Sequence, residues 1–562
     1  MIEAREDQRG SNKVFIVGLD GGTLDLVRPW VEQGYLPTFQ RLMKEGLSSD
    51  LSVELPPGTV PNWPSFMTGK NAGKHGVIHW FTREDQSSRW SIVNSHSIRE
   101  KSLWEILGEH GKESIVMNVP LTYPPKPMKG LMITGLLTPP SAKDFTYPIE
   151  LQNEIESKVG RYMIYPDAIY REGKEEKFLS SLMKTLDVRF RTSRYLMETH
   201  PWDLFMIVFS ETDAIQHAFW KFIDPLHPSY DERLAHFGKG ILQVYQKIDT
   251  FLKEYLSILE KGEKGTTLII MSDHGAGSLY KKFYTNNWLR SLGLLTLKRD
   301  FWSQLKEFSF RHGLTMQNLY RFVFKVGLAN WRRMVDKKES AESLMRKLFL
   351  SYHDIDWERT QAFAFGGFGQ IYLNVKEEDA GLSSSTELYE EVRDEIIHQL
   401  LKMEGPGGGR FMDRVYKREE LYFGKNSHRL PDIVFMPRAG YVDPGDFEFF
   451  SNRIFDDAIG ASGTHSQNGI FLIWGEAVKS DATLGETKIH DLAPTVLCLM
   501  DVPVPTDMDG RVLLESLKDE WVEMHPVRYI APEEGSPEQD HSYSSEEEKE
   551  IKERLKGLGY LA

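Results

Sequence analysis

Three apolar runs in the sequence each lead to an acid. VFIVGL (14–19) delivers Asp20, LFMIVFSET (204–212) delivers Asp213, and TLIIMS (267–272) delivers Asp273 with His274 beside it. Asp213 and His217 stand four apart, so a helix beginning there would project both from one face, one turn apart, suited to gripping one ion. A later segment, GTHSQNG, offers His465 just ahead of the run GIFLIWG. A single acid after a strand is commonly a helix cap or a turn residue, and isolated histidines such as His75, His79 and His490 are more often structural than ligating. The joint occurrence is the signal. Three carboxylates and three imidazoles can supply two ions with mixed oxygen and nitrogen ligands, a set that suits zinc and tolerates manganese or another divalent metal. Two such ions at about 4 Å would clamp the attacking and departing oxygens of an in-line displacement at phosphorus.

That chemistry also wants a nucleophile. The segment ELPPGTVPNWPSFMTGKNAGKHGV (54–77) supplies hydroxyls beside conformationally stiff prolines, and Thr59 is the candidate. A neutral threonine hydroxyl is a poor nucleophile, but coordination to a divalent cation favours its alkoxide. Asn62 is expected to donate its amide to a nonbridging phosphoryl oxygen, sharing the charge that develops there. The alternative for this segment is an ordinary turn in which Thr59 and Asn62 bond locally to backbone.

The elements that must position these groups are legible in the same runs. VFIVGLD, SIVMNV (114–119), LFMIVFS, TLIIMSD, DIVFMP (432–437) and GIFLIWG are short, continuous and bounded by turn residues, the pattern of strands buried on both faces of a helix-covered parallel sheet. Amphipathic helices are expected between them at 36–46, 102–111, 175–199, 230–260 and 388–403, which makes an α/β layered sandwich the economical fold. In such a sheet, catalytic groups collect beyond the carboxyl ends of the strands. The chain carries 68 Lys and Arg against 82 Asp and Glu, a formal charge of -14, with 12% aromatics. That composition excludes disorder, collagen and a disulfide scaffold, and argues against a stable nucleic-acid complex.

The only cysteine, Cys498, allows neither an intrachain disulfide nor an all-cysteine zinc site, and fits a reducing, cytoplasmic setting. The start, MIEAREDQRGSN, does not read as a secretory signal, and no window is long and apolar enough to span a bilayer. Residues 298–347 break the rhythm, with 12 Lys and Arg against 5 Asp and Glu and many aromatics, among them Phe301, Trp302, Phe308, Phe310, Tyr320, Phe322, Phe324 and Trp331. They read as a basic helical insertion: a solvated cap, a substrate lid or a surface that touches anionic lipid headgroups. GPGGG (405–409) reads as a loop. Ser545 and Glu548 form a capping box opening a charged C-terminal helix. The expected division is a catalytic domain over 1–297 and 353–530, the insertion over 298–352, and a polar linker with the terminal helix over 531–562.

The motifs together resemble the alkaline phosphatase superfamily, most closely its type I phosphodiesterase/nucleotide pyrophosphatase branch, over most of residues 14–515. Asp20 stands in GLDGG, Thr59-Val60-Pro61-Asn62 matches a T-x-P-N nucleophile segment, and Thr68-Gly69 through His75-Gly76 matches a TG…HG stretch. Asp213 to His217 supplies D-x-x-x-H, Ser272-Asp273-His274-Gly275 supplies S-D-H-G, and Gly463-Thr464-His465 supplies the final histidine. Residues 490–513 resemble the superfamily's closing helix and loop. The resemblance implies an alkaline-phosphatase-like three-layer sandwich with a mostly parallel sheet. It implies two metal sites, one of Asp213, His217 and His465 and one of Asp20, Thr59, Asp273 and His274. It also implies a two-step reaction in which Thr59 is phosphorylated and metal-activated water releases the product. Gln216 replaces the branch's usual glycine, and GTHSQNG differs from the familiar GTHGY, departures that bear on pocket shape and substrate.

The expected function is metal-dependent hydrolysis of a phosphodiester or nucleotide pyrophosphate, a small phosphorylated substrate. A phosphomonoesterase, phosphonate hydrolase or phosphotransferase on the same scaffold is the alternative, and a binding protein without turnover a further one.

Overall fold

The computed structural model describes residues 12–83, 90–262, 265–325, 347–374, 387–444, 449–532 and 542–558. Trp331, the rest of 326–346, most of the polar linker (533–541) and the first eleven residues lie outside the described residues. Among the described residues no helix is long and apolar enough to cross a membrane.

The apolar runs build one nine-stranded sheet. Its strands in chain order are β1 (Lys13–Leu19), β2 (Leu47–Ser52), β3 (Ser114–Met117), β4 (Gly130–Ile133), β5 (Thr146–Tyr147), β6 (Leu204–Phe209), β7 (Thr266–Met271), β8 (Asn468–Trp474) and β9 (Thr487–Lys488). They lie side by side in the order β9-β2-β8-β7-β1-β6-β3-β4-β5. The central strands run parallel and in step: Gly18 of β1 pairs with Val208 of β6 on one side and with Met271 of β7 on the other. Every residue of β6 is buried, as expected where helices cover both faces of a sheet. Helices α2 (Glu175–Thr199) and α4 (Lys239–Lys261) pack on one another, while α1 (Thr59–Thr68) packs with Leu103–Glu109 and Leu492–Leu499.

Two strand expectations need correction. GIFLIWG does enter the sheet, but β8 runs antiparallel to β2 and β7. DIVFMP forms Ile433–Pro437, which pairs antiparallel with Gln370–Leu373 and Met412–Lys417 in a separate four-stranded sheet. A continuous apolar run reports burial on both faces, and direction is set by the connections, which local sequence does not show. The stretch 230–260 begins as a 3₁₀ helix at Glu232–Gly238 before α4. The C-terminal helix starts at Ser545, but its capping box is Ser544 with Glu547, one residue earlier than expected.

The chain divides into two compact units, Met1–Ser278 with Tyr422–Arg429 and Ser462–Leu561, and Leu279–Leu421 with Leu430–Ala461. The nine-stranded sheet and every candidate site residue belong to the first. The second holds the four-stranded sheet, the 16-residue helix Glu387–Lys402, and the described helices of the basic segment, α5 (Phe301–Arg311) and α6 (Met316–Lys325).

Candidate active site

Because β1, β6 and β7 are in register, the residues beyond each of them emerge at one edge of the sheet. Asp20 comes directly after β1. Helix α3 (Glu211–Phe219) begins two residues after β6, placing Asp213 in its first turn and His217 one turn on, with Asp213 Oδ1 3.3 Å from His217 Nε2. Asp273 and His274 leave β7. His465 lies on the short strand Gly463–Ser466, which pairs antiparallel with residues 275–278, so that His465 stands opposite Ala276. Glycine is required where these loops converge: Gly21 has φ +65°, and a Cβ there would lie 2.8 Å from Asp213 Oδ1.

Seven of the expected residues meet there: Asp20, Thr59, Asp213, His217, Asp273, His274 and His465, all buried. Ligand atoms of Asp213, His274 and His465 lie within 4.8 Å of one another, and so do those of Asp20, Asp273 and His274. Thr59 is the first residue of α1, and its Oγ1 lies 3.3 Å from His274 Nε2. The amide hydrogens of Thr59 and Val60 have no acceptor within the helix, as at any helix start, and face the end that favours anions.

The imidazoles are oriented by carbonyl groups. Nδ1 of His217 lies 2.9 Å from the Gly463 oxygen, Nδ1 of His274 2.9 Å from the Gly275 oxygen, and Nδ1 of His465 3.3 Å from the Pro57 oxygen. A carbonyl only accepts, so each Nδ1 carries a proton, and Nε2 is the ring atom turned inward. His217 Nε2 and His465 Nε2 then oppose each other at 2.9 Å. On the acidic side, Oδ1 and Oδ2 of Asp20, Oδ2 of Asp213 and Oδ2 of Asp273 are buried with no donor in hydrogen-bonding geometry among the described residues, although the Trp63 indole bears on Asp20. Buried carboxylates normally have partners. Imidazole Nε2 atoms and carboxylate oxygens crowded in one buried space are what a cationic cofactor would satisfy, and the donor set of oxygen and imidazole nitrogen fits divalent ions of the zinc and manganese kind.

The electrostatics of the bare residues agree. Burial, together with repulsion from Asp273 and Asp213, holds the Asp20 carboxyl well above the usual range. Burial pushes Asp273 up to about 6, with Asp213 adding to it and His274 opposing. Burial would raise Asp213 too, but there His217, with His465 and His274, outweighs it and holds the group below the usual carboxylate range. Burial and the neighbouring His274 push His465 well down.

Asn62 stands three residues beyond Thr59, but its amide faces its own loop. Nδ2 donates to the carbonyls of Glu54 at 3.1 Å and Gly58 at 3.0 Å, and Oδ1 accepts from the Glu54 N–H at 2.7 Å. Both amide hydrogens are thereby engaged, and Asn62 closes the turn that presents Thr59. Gln216, in place of the branch's glycine, donates Nε2 to the Gly21 carbonyl at 2.9 Å and so braces the loop after Asp20.

Most of the residues that steady this edge escape sequence reasoning. Glu54 accepts from the Ala72 N–H at 3.0 Å and from the Ser65 hydroxyl, and Ser65 Oγ lies 3.1 Å from His75 Nε2. Burial pushes the His75 imidazole down to about 4, so the ring is a neutral strut. Under α3, Arg189 and Glu211 form a buried ion pair at 2.9 Å. The sequence marks His75 alone among these, as a structural histidine in the TG…HG stretch; Glu54 and Glu211 show only as an acid before the proline turn and an acid two residues ahead of Asp213.

A family model for type I phosphodiesterase/nucleotide pyrophosphatase matches residues 14–446, a span that holds every candidate residue except His465. No curated protein matches the sequence. Among solved structures, phosphonoacetate hydrolase from Sinorhizobium meliloti 1021 in complex with phosphonoformate is similar at a TM-score of 0.50 and 13% identity, with 86% of this chain and 94% of that chain covered. Human ectonucleotide pyrophosphatase/phosphodiesterase 5 has a TM-score of 0.45 at 15% identity, with 90% and 100% covered. The first likeness shows the shared alkaline-phosphatase-like α/β fold. With most of its length matched by one family model, the chain belongs to the type I phosphodiesterase/nucleotide pyrophosphatase family of phosphoryl-transfer hydrolases.

Proposed function

We propose that the chain hydrolyses phosphodiesters or nucleotide pyrophosphates through a phosphothreonine formed on Thr59, with two divalent cations, zinc foremost, as cofactors. Asp213, His217 and His465 would hold one cation, and Asp20, Thr59, Asp273 and His274 the other. Such cations, when bound, neutralise charge on the phosphoryl oxygens and lower the pKa of a coordinated hydroxyl. The chain's own part is placement. Helix α1 delivers Thr59 Oγ1 to the acidic and imidazole groups, with the first N–H groups of the helix beside the oxygen that would carry the phosphoryl group. Thr59 Oγ1 bonds to phosphorus as the ester or pyrophosphate oxygen leaves and takes up a proton. Water then cleaves the phosphothreonine, restoring the hydroxyl. Asn62 keeps the turn closed and reaches a phosphoryl oxygen only by releasing one of its two carbonyls. The unpaired buried thiol of Cys498 supports a reducing compartment such as the cytoplasm.

The observation that carries this reading is Thr59 Oγ1 at 3.3 Å from His274 Nε2, beside buried carboxylate oxygens with no donor in hydrogen-bonding geometry among the described residues. The test compares the nitrophenyl ester of thymidine monophosphate, a bis-nitrophenyl phosphodiester and nitrophenyl phosphate at fixed zinc or manganese. The diesters should turn over faster, and Thr59→Ala should slow them by ~1000-fold or more with cation content unchanged. A Thr59→Ala enzyme with full activity and bound cations would remove the nucleophile assignment. Preference for the monoester would move the protein to the phosphomonoesterases.

A further inference from the structure

The second unit carries an apolar face turned to solvent. Helix α5 is anchored through one side, where Ser303 and Phe310 are buried, and its start is fixed by Asp300 Oδ1 accepting from the N–H groups of Trp302 and Ser303. Phe301, Trp302, Leu305 and Phe308 fall at i, i+1, i+4 and i+7, within one third of the helix circumference. They are 72%, 67%, 45% and 60% exposed. A solvated helix ordinarily shows its polar side outward, and a contiguous exposed aromatic patch marks an interaction surface. Phe322 of α6 is also 60% exposed.

The charge around this face identifies its partner. Residues 298–322 carry five Lys and Arg against two Asp and Glu; Lys306, Arg311 and Arg321 are held by Asp354, Glu307 and Asp456, so the cations that remain for this face are Lys298 and Arg299. Lys298 and Arg299, immediately before the helix, are exposed. Glu307 is engaged by Arg290 and Arg311, on a different side of the helix from the aromatic row. We propose that α5 docks the protein on an anionic lipid bilayer: Phe301, Trp302, Leu305 and Phe308 enter the interface between headgroups and acyl chains, and Lys298 and Arg299 meet the lipid phosphates. A large aromatic tipped with an N–H suits that depth. A second copy of the chain would oppose the same cations to one another, and a nucleic acid would leave Leu305 and the phenylalanines without a partner of their kind. The inference does not depend on the hydrolase reading.

The experiment is co-sedimentation of the full chain with vesicles of phosphatidylcholine alone and of an equimolar mixture with phosphatidylglycerol. Binding is expected to the mixed vesicles only and to weaken as salt is raised. F301S/W302S/F308S should abolish it, and K298Q/R299Q should weaken it roughly 30-fold, while both variants keep the wild-type circular dichroism spectrum and denaturant midpoint as proof of folding. No binding to mixed vesicles, equal binding to neutral ones, or binding retained by the triple variant would overturn the proposal. So would concentration-dependent self-association of the wild type that the triple variant loses, which would assign the face to a second copy.

Discussion

Asp213 lies between two imidazoles, His217 at 3.3 Å and His465 at 3.7 Å, whereas Asp20 and Asp273 share one, His274, at 3.5 and 3.4 Å. The first group answers its own charge: the carboxyl is held down and His217 is raised, because Asp213 outweighs the burial that would lower it. The second cannot, and both of its carboxyls are pushed up. Asp213 thus has imidazoles beside it that balance its charge, whereas Asp20 and Asp273 crowd two buried carboxyls around one imidazole, a repulsion that a bound cation would relieve. Where a site most lacks internal compensation is where its cofactor contributes most to holding it together.

Three kinds of measurement separate the two groups of residues. The largest effect is on turnover. D20N and D273N alter two of the proposed cation ligands beside Thr59, and should reduce kcat for a diester by about 100-fold or more at saturating zinc. His217→Ala should cost similar activity but be partly restored by raising the zinc concentration. Equal rescue of all three would show that the halves do not differ.

A second effect is of opposite sign on the two sides. In chelated protein, His217→Ala leaves Asp213 buried without its nearest partner and should destabilise by about 3–5 kcal/mol. Asp20→Asn instead relieves repulsion and should stabilise the chelated protein by about 1 kcal/mol. Denaturant midpoints in the presence of a chelator read both, and a shift of the same sign in both variants would contradict the contrast.

The smallest effects lie in the struts. Asn62→Ala strands the Glu54 carbonyl and N–H, while the Gly58 carbonyl keeps the backbone N–H of residue 62, and should destabilise by about 1–3 kcal/mol whether or not cations are present. His75 supplies a pH dependence. Its folded pKa is about 4, below the ordinary 6.5, so the unfolded chain binds the extra proton. Its contribution is intact above about 6.5 and is lost as pH falls towards 4. His75→Asn should flatten that limb of the stability profile, and an unchanged limb would show that the ring is not a neutral strut.

Much of this was legible because strand ends mark a place. VFIVGL, LFMIVF and TLIIM are apolar enough to be read as buried strands, and parallel strands in register bring the residues beyond their ends together, so Asp20, Asp213 and Asp273 could be grouped from sequence. His217 joins them through i,i+4 geometry alone. The direction of β8 was not legible, since burial on both faces looks the same either way. Nor was the engagement of the Asn62 amide, which depends on where Glu54 and Gly58 turn back. Glu54, His75 and the Arg189–Glu211 pair are joined by contacts whose partners are set only once the chain is folded. The exposed aromatic row on α5 was visible as composition, but only burial shows which of its aromatics, Phe310, is core and which face water.

The most direct test is the stoichiometry and position of bound zinc, by anomalous scattering from crystals of metal-replete protein. Two ions are expected, one against Asp213, His217 and His465 and one against Asp20, Asp273, His274 and the Thr59 hydroxyl, with the H217A/H465A double variant retaining only the second. Ions bound elsewhere, or none beside the Asp20 carboxylate, would contradict it.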